Sequence, residues 1–249
     1  EYMGLRSQGV YQRELAASNN FVLSSRFNSK NNRYRFFTHY IHQNVNNEEN
    51  GGIEDLSLFL GDDTRFNNRQ NLAVNLTSTD SRFSYRRYYF SQEFQFVNSE
   101  KYPFKVRHTI FHQANKYWYK QQGSESFYNS DVVADFGTSA YKFSKNLSNT
   151  FTLLFDKPTF KLEAGVRHQM INLGTDKELP AIVGVSIPLD NKENRFGAVG
   201  NLEIKLWDKV DLKSNLEYSN GSTFGNFLRS ENNLKLEPII DYILDAHVN

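Results

Sequence analysis

The chain has 249 residues and a formal net charge of +1, so its overall balance calls for neither a nucleic acid nor a charged membrane surface as partner. It contains no cysteine, which excludes disulfides, thiolate nucleophiles and cysteine-based zinc sites. Aromatic residues reach 15 %, with 21 Phe and 14 Tyr, and no apolar run approaches the ~20 residues that a membrane-spanning helix needs.

From residue 21 onward, apolar and polar residues alternate with a period of two, which predicts β-strands with one apolar face. The apolar sets of the first half are Phe21, Leu23 and Phe27; Tyr34, Phe36 and Tyr40; Leu72, Val74 and Leu76; Tyr88, Phe90, Phe94 and Phe96; and Phe104, Val106 and Ile110.

The second half continues the alternation. Segment 132–143 is a weaker strand, segment 181–189 is more evenly apolar, and 202–206 with 210–218 forms a two-strand hairpin. The other apolar sets are Phe151, Leu153 and Phe155; Phe160, Leu162, Ala164, Val166 and Met170; Leu234 and Leu236; and Tyr242, Leu244, Ala246 and Val248. Turns rich in Asn, Asp, Gly, Ser and Lys separate roughly a dozen strands of about 7–12 residues, a pattern typical of an antiparallel meander.

One segment departs from this rhythm. Residues 49–66 place Ile53, Leu56, Phe59 and Leu60 at helical spacing, which predicts a short helix or a structured loop.

Two fold classes fit the alternation: a soluble β-sandwich or lipocalin-like barrel, and a membrane barrel. Strands of 9–12 residues can cross a bilayer when tilted, whereas sandwich strands usually have about 5–6. Aromatic residues cluster towards strand ends, as in membrane-interface girdles. An open sheet edge is forbidden in lipid, so long strands in a bilayer must close. The prediction is therefore all-β, an antiparallel up-and-down transmembrane β-barrel of roughly 12 or more strands, in a single domain over residues 1–249.

Two stretches carry a family resemblance: YMGLRSQGVYQRELAASNNFVLSSRFNSKNNRYRFFTHYIHQNVNNEENGGI (2–53) and RYYFSQEFQF (87–96). They resemble the putative β-barrel porin family of Bacteroidota outer membranes, and residues 131–249 keep the same strand rhythm more loosely. The resemblance implies a location in the bacterial outer membrane after removal of a signal peptide, and a channel role. Members of that family are longer, and outer-membrane barrels usually end on an aromatic residue, so we expect these residues to be part of a larger barrel.

The polar sides of the strands supply the candidate functional residues. On a barrel that faces lipid with its apolar set, the lumen-lining candidates are Glu93, Gln95, Lys105, Arg107, Lys161, Glu163, Arg167, Glu203, Lys205, Lys213 and Glu217. Mixed charges along a wet pore would orient small polar solutes without a fixed binding site. Residues 1–120 hold eleven of the 14 arginines, which suggests one more positive wall and a mild preference for anions.

Catalytic and metal chemistry find little support. His39 and His42 would point to opposite faces of a strand, and His108 and His112 lack the glutamate of an HExxH motif. Acidic residues at 48–49, 55 and 62–63 could bind calcium but lack EF-hand spacing. We therefore predict no enzyme activity, no catalytic or metal-binding residues and no cofactor.

The leading hypothesis is an outer-membrane porin-like channel for passive diffusion of small polar solutes. The alternative is a non-conducting structural or accessory subunit of a larger outer-membrane secretion or uptake complex, with segment 49–66 as a lumen plug or partner contact. A soluble periplasmic β protein is the third hypothesis. The expected partners are the lipid bilayer and lipopolysaccharide, with other outer-membrane proteins as a further option. No nucleic acid is expected, although Arg82, Arg86 and Arg87 lie among aromatic residues.

Overall fold

The computed structural model describes residues 1–97, 99, 103–121, 139–175, 190–207, 209–239 and 242–248. None of the helices in these ranges is long and apolar enough to cross a bilayer. The strands are β1 (Tyr2–Ser7), β2 (Ala16–Asn28), β3 (Tyr34–Glu49), β4 (Thr79–Val97), β5 (Phe104–Gln121), β6 (Ser139–Asp156), β7 (Phe160–Thr175), β8 (Asp190–Leu206), β9 (Val210–Ser219), β10 (Phe227–Ile239) and β11 (Tyr242–Val248). The connection between β3 and β4 contains the helix α1 (Leu56–Leu60) and two 3₁₀ turns, Thr64–Phe66 and Arg69–Asn71.

The strands form one antiparallel up-and-down sheet in the order β1 to β11, in which each strand pairs with its neighbours along the chain. Most strands are long, and β4 reaches 19 residues. Within the described residues, no ladder joins β1 to β11. The predicted all-β meander is therefore confirmed, and the predicted hairpin at 202–218 is the pair β8–β9.

The connections differ at the two ends of the sheet. Residues 29–33, 157–159 and 207–209 are short turns at one end, here called the turn end. Longer connections, including 8–15, 50–78 and 220–226, lie at the other end, here called the loop end. Barrels of the outer membrane have short periplasmic turns and longer extracellular loops, so the sheet has the asymmetry of that class.

The cross-strand register fixes two chemically different faces. On one, here called the outer face, directly opposed residues such as Phe36 and Phe27, or Leu153 and Val106, carry the apolar sets expected from the sequence. Their side chains are exposed: Phe151 is 49 % exposed, Val166 63 % and Leu228 69 %. A soluble sheet would bury these side chains, so their exposure is characteristic of a surface that lipid covers.

These rows form an apolar band. They extend from β2 to β10, about 38 Å across the sheet, and follow β5 from residue 104 to 112, about 27 Å along the strand. A patch of these dimensions far exceeds the ~300–600 Å² of the largest apolar patch on a typical soluble monomer. At a strand tilt of about 40° the band is about 20 Å tall, close to the ~25 Å apolar band of outer-membrane barrels.

The opposite face, here called the inner face, is concave. One groove is lined by residues from Phe37 of β3 to Arg229 of β10, strands that would be about 34 Å apart in a flat sheet. Two inner-face glycines allow sharp bends: a Cβ on Gly165 would lie 2.0 Å from the carbonyl oxygen of Phe151, and one on Gly197 would lie 2.1 Å from that of Tyr218. Glycine at such positions is a common device for curving a sheet.

One predicted strand is wrong. Leu72, Val74 and Leu76 alternate, but they lie outside the eleven strands, where Val74 makes an isolated bridge with Ile53. The three side chains are at most 5 % exposed and form the small core of the β3–β4 connection. Segment 49–66, expected to be a short helix or structured loop, contains α1 and the first 3₁₀ turn. Segment 181–189, and residues 132–138 of the predicted strand 132–143, lie outside the described residues.

Candidate functional site

All eleven lumen-lining candidates lie on the inner face. The register places Glu93 opposite Arg107, Gln95 opposite Lys105, and Glu203 opposite both Lys161 and Lys213. Opposed residues of an antiparallel pair share a face, so these pairs settle the side of the sheet. The other four, Glu163, Arg167, Lys205 and Glu217, are an even number of positions from one of these residues on the same strand, so they lie on the same face.

A continuous chain of ion pairs crosses the middle of this face. Glu93 is paired with Arg35 of β3 and lies 2.6 Å from Arg107 of β5, and Arg107 also contacts Glu163 of β7 at 2.7 Å. Thr152 donates its hydroxyl proton to Glu163 at 2.6 Å. Each charge therefore has a partner of the opposite sign, which makes the row polar and nearly neutral.

A second set of pairs extends the row towards β10. Arg167 of β7 is paired with Glu217 of β9 and donates to Thr150 at 3.2 Å, and Arg229 is paired with Glu231. Together with Glu93, Arg107, Thr152 and Glu163 of the first set, these side chains line the inner groove of about 420 Å³. The groove is open and offers guanidinium donors and carboxylate acceptors side by side, which suits transient hydrogen bonding to polar solutes better than tight binding of one ligand.

The turn end of the inner face carries weaker pairs. Lys105 contacts Asp156 at 2.6 Å, Lys161 contacts Glu203 at 3.4 Å, and Lys205 lies 4.0 Å from Asp211. Lys213 is exposed beside them. Lys161–Glu203 and Lys205–Asp211 are largely exposed, and such pairs contribute little to stability, so these two affect the charge pattern of the inner face more than its stability.

The sequence did not reveal one buried ion pair at the loop end. The side chains of Glu193 and Arg195 on β8 are 0 % and 7 % exposed and lie 3.3 Å apart. Glu193 accepts hydrogen bonds from the backbone N–H groups of Thr223 and Phe224, at 3.1 and 2.9 Å. Arg195 donates to the carbonyl of Gly225 at 2.9 Å. The pair thus holds connection 220–226 against the inner face at the loop end.

Most of the arginine excess of residues 1–120 does not reach the inner face. Only four of its eleven members, Arg26, Arg35, Arg87 and Arg107, point to the inner face. Two of these, Arg35 and Arg107, are balanced by the two carboxylates Glu93 and Glu163. The remaining arginines lie on the outer face or in connections, so only part of the excess reaches the inner face, and the mild preference for anions stays a prediction.

The histidines considered as metal ligands from the sequence do not come together in one site. His39 lies on the inner face against Tyr89, whereas His42, His108 and His112 belong to the outer face. Within the described residues, no group of three or more His, Asp or Glu side chains could hold a metal ion.

The acidic loop residues have structural roles. Asp55 caps α1 by accepting a hydrogen bond from the N–H of Ser57, and Asp63 caps the first 3₁₀ turn and binds Arg65. The Ser57 hydroxyl and N–H lower the pKa of Asp55, and the Arg65 guanidinium and N–H lower the pKa of Asp63. Glu48 is paired with Arg13 at 3.0 Å.

The contacts of the β3–β4 connection run along the loop end. Gln70 donates to the carbonyls of Val10 and Tyr11, and Gln12 donates back to Gln70, so connection 50–78 packs on connection 8–15. α1 has no buried residue. These contacts do not support a plug inserted among the inner-face charges.

Comparison with known proteins agrees with this architecture. The model of a family described as "Putative porin" matches residues 1–249. No curated protein matches the chain. Among solved structures, the ferric enterobactin receptor of Pseudomonas aeruginosa (a Q482A mutant in complex with enterobactin) is similar with a TM-score of 0.60 at 10 % identity. The match covers 94 % of this chain and 33 % of the receptor chain, so at this identity it shows a shared fold over about a third of the receptor's length.

Proposed function

Because the chain belongs to the putative porin family, we propose that it forms the wall of an outer-membrane channel for passive diffusion of small polar solutes. The observation that carries this proposal is the contrast between the faces: an exposed apolar band outside, and a concave wall of paired charges inside. An exposed apolar band is stable in contact with hydrocarbon, and a wall of charged side chains is stable in contact with water.

The same contrast supports the location and the topology. In the outer membrane, the turn end would face the periplasm and the loop end the exterior. A sheet in lipid cannot keep open edges, so the eleven strands would belong to a closed barrel with further strands. The receptor that shares the fold has a chain about three times as long, which fits a larger barrel.

The nearly neutral row of ion pairs on the inner face sets the expected selectivity. Four arginines (35, 107, 167 and 229) alternate with four glutamates (93, 163, 217 and 231), so anions and cations meet similar fields. We expect weak ion selectivity and a cut-off set by size, with connection 220–226, held against the inner face, as a constriction.

A second role is favoured by one observation. Leu56 and Leu60 of α1 are 61 % and 71 % exposed at the loop end, outside the apolar band. Such residues suit contact with another protein, as an accessory subunit of an outer-membrane assembly would make.

The test is reconstitution of the full-length protein into planar bilayers and into vesicles. A channel gives ohmic single-channel currents with an anion-to-cation permeability ratio near one, and vesicle swelling that falls with solute size. Protein that floats with vesicles but gives neither current nor swelling would overturn the channel and leave the accessory role. Protein that stays in the aqueous fraction without detergent would overturn the membrane location itself.

A further inference from the structure

The basic residues of the outer face are confined to one end. Among the described strands, every Lys or Arg on this face lies on the loop side of the apolar band: Arg6, Arg82, Arg86, Lys116, Lys120, Lys145 and Lys192. In the same strands, the outer face carries no Lys or Arg between the band and the turn end. A generic solubilising surface would show no such polarity, so the asymmetry points to a ligand at one side of the membrane.

Three of these cations converge on one spot. Arg86 of β4 and Lys145 of β6 are both opposite Ala114 of β5, and Lys116 is two residues further along β5. Strand spacing puts the Cα atoms of Arg86 and Lys145 about 10 Å apart, with Lys116 about 7 Å from Ala114. The small side chain of Ala114 leaves a notch between them. We call Arg86, Lys116 and Lys145 the outer basic patch.

The charges of this patch are not neutralised. None of its three members forms a salt bridge with a residue in the described part of the chain. The acidic side chains of the described outer face are occupied by other cations: Arg13 binds Glu48 and Asp80 at 3.0 Å, and Lys192 binds Asp190 at 2.8 Å.

Aromatic rings position the patch without cancelling its charge. The Nζ of Lys116 lies 5.9 Å from the Trp118 ring and 5.8 Å from the Tyr141 ring. The Nζ of Lys145 lies 5.1 Å from the Phe143 ring. Cation–π contacts of this kind restrict the lysines but leave their N–H donors free for an anion.

The patch is continuous with the apolar band. The next row towards the turn end contains Tyr88, Leu147 and Met170, and Tyr88 and Met170 are 47 % and 39 % exposed. A ligand that uses both surfaces must carry an anionic head and long apolar chains side by side.

We propose that the outer basic patch binds the phosphate groups of lipopolysaccharide in the outer leaflet, with its acyl chains along Tyr88, Leu147 and Met170. This inference rests on the proposed outer-membrane location, with the loop end facing the exterior. Lysine and arginine are the usual partners of phosphate. With their Cα atoms about 10 Å apart, Arg86 and Lys145 can bind one headgroup phosphate from opposite sides.

The chain offers a matched control for the test. Arg87 and Lys142 lie on the same two strands as Arg86 and Lys145 but on the inner face. The test variant is Arg86→Gln/Lys145→Gln, and the control is Arg87→Gln/Lys142→Gln, which removes the same charge from the same strands.

The measurement is binding of bisphosphorylated lipid A to the full-length protein in nanodiscs of zwitterionic phospholipid. We expect the test variant to weaken binding about tenfold or more and the control to stay within about twofold of wild type. Dephosphorylated lipid A should bind wild type about tenfold more weakly. Circular dichroism and gel mobility of the unheated protein verify that both variants are folded.

Other outcomes would overturn the proposal. Equal binding by the two variants, or equal binding of phosphorylated and dephosphorylated lipid A, would show that the patch does not recognise lipid phosphate. Displacement by millimolar inorganic phosphate, with phosphate bound as tightly as lipid A, would make the ligand a free anion. Absence of channel current with intact patch-dependent lipid A binding would instead overturn the channel alone.

Discussion

The two faces of this sheet come from the same alternating strands, yet they handle charge in opposite ways. The inner face places Glu93, Arg107 and Glu163 in direct contact across three strands. In the described strands, the outer face keeps its mid-sheet rows free of Lys and Arg and places its cations at one rim, where the outer basic patch forms no salt bridge within the described residues. The difference shows that the surrounding medium, more than the strand pattern, decides where a charge is tolerated.

Water and hydrocarbon explain the two arrangements. On a wet wall, a charge costs little and pairing fixes its geometry. In hydrocarbon, an ionised side chain costs several kcal/mol, so cations appear only where headgroups can solvate them. The predictions below test whether each face obeys its own rule.

The largest effect should come from breaking the buried inner pair. Glu193→Ala leaves Arg195 buried without its carboxylate and removes the acceptor for the N–H groups of Thr223 and Phe224. Loss of one partner of a buried pair typically costs about 3–5 kcal/mol, and we expect this decrease in the free energy of unfolding in vesicles with urea. Single-channel conductance should rise, because connection 220–226 is no longer held against the inner face.

Glu231→Ala is the matched control for that variant. Its partner Arg229 is 58 % exposed, so removal of this inner-face glutamate should cost less than about 1 kcal/mol. Similar losses in the two variants would mean that burial of Glu193 contributes nothing to the stability of the loop end.

The next prediction compares the two faces by introducing one lysine at either of two adjacent residues of β9. Leu216 of β9 is 51 % exposed on the outer face, and Asn215 is exposed on the inner face. We expect Leu216→Lys to lower the free energy of unfolding by about 2 kcal/mol, because the ammonium enters hydrocarbon. Asn215→Lys should change it by less than about 0.5 kcal/mol. Urea titration in vesicles compares them, and the opposite order would exchange the lipid and water faces.

The assignment of faces was within reach of the sequence. A period of two fixes which side chains share a side of a strand, so the exposed outer set, including Phe21, Leu153 and Val166, followed from spacing alone. The eleven inner candidates share a face for the same reason. The spacing of Leu72, Val74 and Leu76 led to the wrong prediction of a strand. Alternation indicates that one side of an extended segment is buried, but not that the segment pairs within a sheet.

The features that could not be predicted from the sequence depend on which residues of neighbouring segments lie opposite each other. Glu193 and Arg195 carry no motif, and their role appears only when connection 220–226 is found against them. The period of two places Arg86 on the face of Tyr88 and Arg87 on the face of Glu93, but it does not say which residues of the neighbouring strands lie beside them. The convergence of Arg86 and Lys145 on Ala114 requires a register that a single sequence does not supply.

A smaller effect should appear in ion selectivity. Glu163→Gln removes one of the two carboxylates that neutralise Arg107 and leaves a net positive charge on the inner face. A unit charge about 7 Å from a passing ion changes its energy by ~0.6 kcal/mol in water, about a threefold factor. The change favours an anion and disfavours a cation, so the two factors multiply, and we expect reversal potentials to show an anion-to-cation permeability ratio about sevenfold higher at low salt. Asp62→Asn, the same charge change in the loop, should leave the ratio unaltered, and a shift of equal size there would disconnect selectivity from the inner wall.

The smallest effect concerns carboxylates that belong to neither face. The pKa of Asp63 is lowered from 3.8 by its bonds to the Arg65 side chain and N–H, so its contribution to loop order is present above pH ~3.8 and is lost as pH falls through the lower folded value. We expect hydrogen exchange of the 63–67 amides, corrected for intrinsic rates, to lose protection over this range while strand amides stay protected. Asp63→Asn can still cap the turn but cannot titrate, so its protection should not vary with pH. If the variant lost protection in step with the wild type, acid would be acting on the sheet, and the separation between a titrating loop and a pH-insensitive wall would fail.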